Sequence, residues 1–259
     1  IKGNIVNSNR LKTWFLAVLI SLASGNLFAQ DPEFTQFYAN QLYLNPAFAG
    51  ASYCPKVSMN HRNQWPGISG SFVTTSASYD QHVDALSGGI GLLVLNDRAG
   101  EGTLNTLNVS AMYSYELQVT RKFTIRAGLQ GTYAQKRVDW DKLTFGDQID
   151  PRRGFIFTTN EVQRDEPRSF IDFSAGMLGY TDQIFVGFAV HHLTQHNESV
   201  IEGISPLPRK YTFHAGVQIP IDSKGEPATL SPNVLVQLQE NFLQINFGMY
   251  YNKGPIYGG

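Results

Sequence analysis

In four stretches of the chain apolar and polar residues change places at nearly every step, at 107–115, 123–133, 211–219 and 243–251. Successive side chains of a strand point to opposite faces, so each stretch has one apolar face and one polar face. Runs of this kind along the whole chain predict roughly ten strands, at 56–65, 71–81, 88–97, 106–117, 123–137, 170–181, 184–192, 210–220, 229–239 and 242–252. Gly, Pro, Asn and Asp fill the gaps, as turn chemistry requires. Strands about ten residues long with aromatic ends suit a tilted crossing of roughly 25 Å of hydrocarbon. The expected fold class is therefore all-β, a transmembrane antiparallel β-barrel of the outer membrane. A soluble β-sandwich would show the same alternation, with its apolar face turned to a core instead of to lipid.

The connections favour the barrel. If the chain starts in the periplasm, the links after even strands face the periplasm and should be short. They fall at 82–87, 118–122, 182–183 and 221–228, whereas the two longest links, 138–169 and 193–209, share the opposite end. The polar register places Arg126, Gln130, His214 and Gln218 toward the lumen. An arginine on the lipid face at mid-depth would cost about 2–4 kcal/mol, which turns Arg126 inward.

Composition changes this picture little. The 259 residues are 42% hydrophobic with a net charge of −1, with 17 Phe, 12 Tyr and 24 Gly. Only every second residue of a barrel strand meets lipid, so an ordinary bulk hydropathy fits either alternative. The near-neutral charge argues against nucleic acid as a partner. The aromatic and glycine content fits a closed sheet with aromatic girdles.

Residues 1–29 read as a cleaved signal peptide. Lys2, Arg10 and Lys12 precede an apolar stretch at 14–23, too short to span a bilayer, and Leu27-Phe28-Ala29 offers a cleavage site before Gln30. The expected organisation is thus a leader at 1–29, an N-terminal periplasmic or plug segment at 30–55, and the barrel at 56–259. Cys54 is the single cysteine, which excludes an internal disulfide framework.

The mature N-terminus carries a more specific signal. Asp31-Pro32-Glu33-Phe34-Thr35-Gln36-Phe37-Tyr38 is followed by Leu42-Tyr43-Leu44-Asn45-Pro46-Ala47-Phe48-Ala49-Gly50 and then by His61-Arg62-Asn63-Gln64-Trp65-Pro66-Gly67. Together with Gly89-Ile90-Gly91, Asn96-Asp97, Gly100 and Tyr113-Ser114-Tyr115, this text resembles the PorP/SprF family from about residue 30 to the last residue. The resemblance implies an outer-membrane barrel of Bacteroidota serving type IX secretion and gliding motility. It further implies outer-membrane lipid, a large cargo adhesin and periplasmic ring components of the machine as partners. Such barrels have about fourteen strands, so further strands are expected after the closing turn at 254–259.

Segment 31–50 can plug the lumen, lie along the periplasmic rim, or simply lead into the first strand. Its Phe34, Phe37, Tyr38, Asn45 and Pro46 are candidate partner contacts, as are Trp140, Phe145, Phe155 and Phe157 of the long loop. Trp65 suits the aromatic girdle, and Arg62 either joins it or anchors the N-terminal segment.

The chemistry of an enzyme is not apparent. His191 and His192 are adjacent on a strand and point apart, so they do not share a metal ion with His196. Asp139, Asp141, Asp147 and Asp150 lack the spacing of a calcium loop. Gly89-Ile90-Gly91 lies within a strand and lacks the third glycine of a nucleotide cradle; glycine there permits a close approach. No catalytic, cofactor or metal residues are assigned. The reading is a non-enzymatic secretion barrel that assists export or anchoring of a cargo adhesin; the alternative is a pore for a small or hydrophobic solute.

Overall fold

The computed structural model describes residues 31–259 apart from 69, 101–102, 161–165, 201–203, 224–225 and 255. The leader expected at 1–29 lies outside the described residues. Ten long strands alternate up and down: β1 (Lys56–Gln64), β2 (Phe72–Val83), β3 (Gly88–Ala99), β4 (Leu104–Gln118), β5 (Thr124–Val138), β8 (Arg168–Tyr180), β9 (Ile184–His191), β10 (Lys210–Val217), β12 (Glu226–Gln239) and β13 (Phe242–Lys253). Short pieces complete them, namely β6 (Ile149–Asp150), β7 (Gly154–Phe155), β11 (Ile219–Ser223) and β14 (Ile256–Gly258). Among the described residues, one twelve-stranded sheet runs in the order β1-β2-β3-β4-β5-β8-β9-β10-β12-β13-β14, with β11 beside β12. Every pairing is antiparallel, and each of the ten long strands pairs with the next long strand in the chain, with β1 and β14 at the ends of the path. No described helix is long and apolar enough to cross a membrane.

Three local readings need correction. The link expected at 221–228 is shorter than that, because β11 and β12 run into it from both sides and pair with each other. Residues 254–259 are not wholly a turn either, since Ile256–Gly258 pairs with β13 after a bend at Gly254. The loop between β5 and β8 carries its own two-stranded hairpin, β6-β7. Backbone pairing extends the strands wherever a partner is present, and residue type alone does not reveal the partner.

Burial decides which face is inside. In β2 the buried side chains are Thr74, Ser76, Ser78 and Asp80, while Ala77 and Tyr79 of the opposite face are exposed. In β8 Asp172 and Ser174 are buried and Ile171, Phe173 and Met177 are exposed. A sandwich core would bury the opposite set, because exposing this much contiguous apolar surface to water is unfavourable. The sheet is inside-out, as a wall facing lipid must be.

The core sits on the polar side, against the segment that precedes β1. This segment folds as a 3-10 turn (Phe37–Asn40), an α-helical turn (Gln41–Leu44) and a second 3-10 turn (Pro46–Phe48). Leu42, Ala47, Phe48 and Ala49 pack with Leu93, Met112 and Leu178 from β3, β4 and β8. Phe37 and Leu44 pack with Leu235 of β12.

Candidate functional site

The seat of this segment is a row of small residues crossing five strands in register. Gly89 pairs with Ser114, Ser114 with Gly128, Gly128 with Gly176, and Gly176 with Ala189. A Cβ on Gly128 would lie 2.3 Å from the Ala47 nitrogen, and one on Gly89 2.3 Å from the Ala49 oxygen. The missing side chains are therefore the space in which the 45–50 backbone lies. Glycine at 89 and 91 was expected to admit a neighbouring strand or girdle residue; what approaches is Ala49, Gly50 and Leu42.

Two polar hubs fasten the seated turn. Asn45 is fully buried. Its Oδ1 accepts from Ala47 N at 2.9 Å, capping the Pro46–Phe48 turn, and its Nδ2 donates to Met177 O at 3.0 Å and Phe188 O at 3.2 Å. The same Nδ2 lies 3.1 Å from His214 Nε2. The His214 ring stacks on Phe48 at 5.1 Å and fills the space above Gly187.

Arg126 is the second hub and is also fully buried. It donates to Gly50 O at 2.9 Å, Ala49 O at 2.8 Å and Ser114 Oγ at 2.9 Å, and pairs with Glu116 at 3.0 Å. The Gly50 nitrogen donates to Asp80 Oδ2 at 3.1 Å. Gly50 has φ +62°, and a Cβ there would lie 2.6 Å from Gln81 O. Both the backbone conformation and the space demand glycine.

Toward the other rim, Glu33 links two distant strands of the sheet. Its carbonyl accepts from Arg62 of β1, and its carboxylate lies 3.6 Å from Lys210 Nζ of β10. Asn40 donates to Ser76 Oγ at 2.9 Å, and His191 Nε2 lies 3.1 Å from Leu44 O. The segment thus touches the inner face from β1 through β13, the last through the Tyr38–Tyr250 ring contact at 5.9 Å.

Each candidate residue now has a place. Phe34 and Phe37 are buried, Phe34 edge-on to Tyr43 at 5.7 Å, and Tyr38 donates its hydroxyl to Ala215 O at 3.3 Å. Pro46 opens its turn on the glycine row. Gln130 is on the inner side, donating to Thr132 Oγ1 at 2.9 Å and Ser110 Oγ at 3.2 Å. Gln218 departs from this group: it sits exposed at the break between β10 and β11, where the alternation lapses. Trp140, expected as a partner contact, is only 8% exposed and lies stacked against half-buried Phe145 at 6.3 Å. Phe155 and Phe157 remain exposed, at 59% and 53%. Arg62 bonds the N-terminal segment, while Trp65 stays exposed against Phe72. His192 faces Asp172 at 2.7 Å while its neighbour His191 faces Leu44. Asp80, Ser114, Gly128 and Gly176 are site residues that the sequence reading does not single out; glycines within the alternating runs were the available signal.

An inside-out antiparallel sheet whose polar face is covered by its own N-terminal segment defines a β-barrel-type membrane protein. The model of the PorP/SprF family, described as a type IX secretion system membrane protein, matches residues 26–259. The chain belongs to this family and is a component of that secretion system. No curated protein and no solved structure matches it.

Proposed function

We propose that the chain works in the outer membrane as a non-enzymatic, plugged barrel of the type IX machinery, reached through a cleaved leader, that assists export or surface anchoring of a cargo adhesin. The observation that carries this reading is the occupied inner face: segment 31–50 is held by Asn45, Arg126 and Asp80 and lies over a glycine row shaped for it. A lumen filled in this way suits a docking platform better than a conduit. The long links offer Phe155 and Phe157 to cargo at the outer end, and the short turns face the periplasmic ring. Adhesin export of this kind is the step on which gliding motility would depend.

One observation favours the pore instead. Gln130 Oε1, Asn233 Oδ1 and both polar ends of Gln237 are buried on the inner side without a partner among the described residues, which calls for water there. Affinity purification of the tagged, full-length protein from its host in mild detergent tests the main reading. Co-purification of a very large exported protein or ring components supports it. A lone barrel that conducts ions in planar bilayers moves the assignment to the pore.

A further inference from the structure

The outward face of the sheet changes character sharply at one rim. Ala77, Val94, Val109, Tyr133 and Ile171 form an apolar row in direct register across β2, β3, β4, β5 and β8. Four residues further along the same outward parity lies a second row, Val73–Arg98–Asn105–Arg137. Four strand residues span about 13 Å, or about 10 Å of height at a barrel tilt of 35–45°. Arg98 and Arg137 therefore lie about 10 Å beyond this row, on the side away from the exposed apolar residues Leu92, Tyr113, Leu129 and Phe173.

These residues line a cleft of about 540 Å³ together with Asp139 and Lys142. Asp139 pairs with Lys142 at 3.2 Å, and its single negative charge leaves the four charged residues of the cleft at a net of +2. Arg98 and Arg137 are exposed and make no side-chain hydrogen bond or ion pair among the described residues. They are two strands apart, roughly 10 Å between backbones, with the short Asn105 between them. Two guanidinium forks at that spacing can close on one tetrahedral anion. Elsewhere on this face near the apolar band an uncompensated arginine would be costly; here a phosphate would offset it.

We propose that Arg98 and Arg137 form a binding site for the phosphate of an outer-leaflet lipid headgroup, with its acyl chains lying on the apolar row below. The site clamps the barrel wall to lipid next to the long β5–β8 loop. The inference rests on the outward orientation of that loop argued under Proposed function.

The test is native mass spectrometry of the full-length protein in neutral detergent, titrated with monophosphorylated lipid A, its phosphate-free form, or inorganic phosphate. One saturable lipid is expected, bound at least about tenfold more weakly without its phosphate or by R98Q/R137Q. R137Q alone should give an intermediate loss, and R121Q/K122Q, in the turn before β5, no loss. Heat-dependent gel mobility reports the folded barrel in each variant. Equal binding of phosphate-free lipid, or by folded R98Q/R137Q, overturns the site and leaves the barrel assignment standing. Tight binding of inorganic phosphate that displaces the lipid headgroup overturns the lipid assignment. Recovery of the native chain without detergent would overturn the barrel orientation and the site together.

Discussion

Gly128→Ala adds one methyl group to β5, and the structure states where it goes. The new Cβ would lie 2.3 Å from Ala47 N, 2.4 Å from Pro46 C and 2.6 Å from Ala47 Cα. All three are backbone atoms, so no rotamer change relieves the overlap; the 46–47 backbone must lift by about 1 Å. Overpacking of this kind costs about 1–3 kcal/mol. Lifting also stretches the bonds that Asn45 makes to Met177 O and Phe188 O, each worth about 1 kcal/mol net. The sum, about 2–4 kcal/mol, acts on segment 31–50 and spares the ladder of the sheet. At about 3 kcal/mol the detached population rises roughly 100-fold. Chymotrypsin reads it, because Phe34, Phe37 and Phe48 are buried in the seated segment and cleavage under native conditions follows the open population. Gly131→Ala is the control on the same strand: its Cβ would meet only Phe173 ring atoms, the nearest at 3.7 Å, an ordinary contact. Equal cleavage rates for Gly128→Ala, Gly131→Ala and the parent protein, all with intact barrel mobility on gels, would refute the seating argument.

Arg126→Gln removes the charged donor from Ala49 O and Gly50 O, and should weaken seating by about 3 kcal/mol, seen as faster cleavage and a lower Tm. Asn45→Ala removes the cap of the Pro46–Phe48 turn and two donations to the wall, for a loss of about 1–3 kcal/mol by the same assay. Replacing Phe155 and Phe157 by Ala should lower the cargo recovered in pull-downs while gel mobility stays unchanged, since both are exposed. Deleting residues 31–50 should convert a silent barrel into one with measurable single-channel conductance; silence in the deletion would count against a plug.

The set of strands and the division of each into two faces can be read without the fold. That information is local: a period of two is visible wherever polar and apolar residues alternate, which is why β2, β5 and β13 are placed to within two residues of their observed ends. The alternation sets Arg126 on the polar face, where a charge is spared the cost of meeting lipid; in the folded chain it is fully buried there, its charge met by Glu116 and by the Ala49 and Gly50 carbonyls. Pairing decided the rest. Alternation alone does not tell core from lipid, and only the folded sheet, with Ser76 and Asp80 buried and Tyr79 exposed, shows which face turned inward. Gly89, Gly128 and Gly176 lie far apart in the chain and become one seat only when the register of β3, β4, β5 and β8 aligns them. Trp140 illustrates the converse, an aromatic loop residue that reads as available in the sequence and is buried in the folded loop. Side-chain types are written locally, but a seat, a hub or a buried loop ring exists only where distant segments meet.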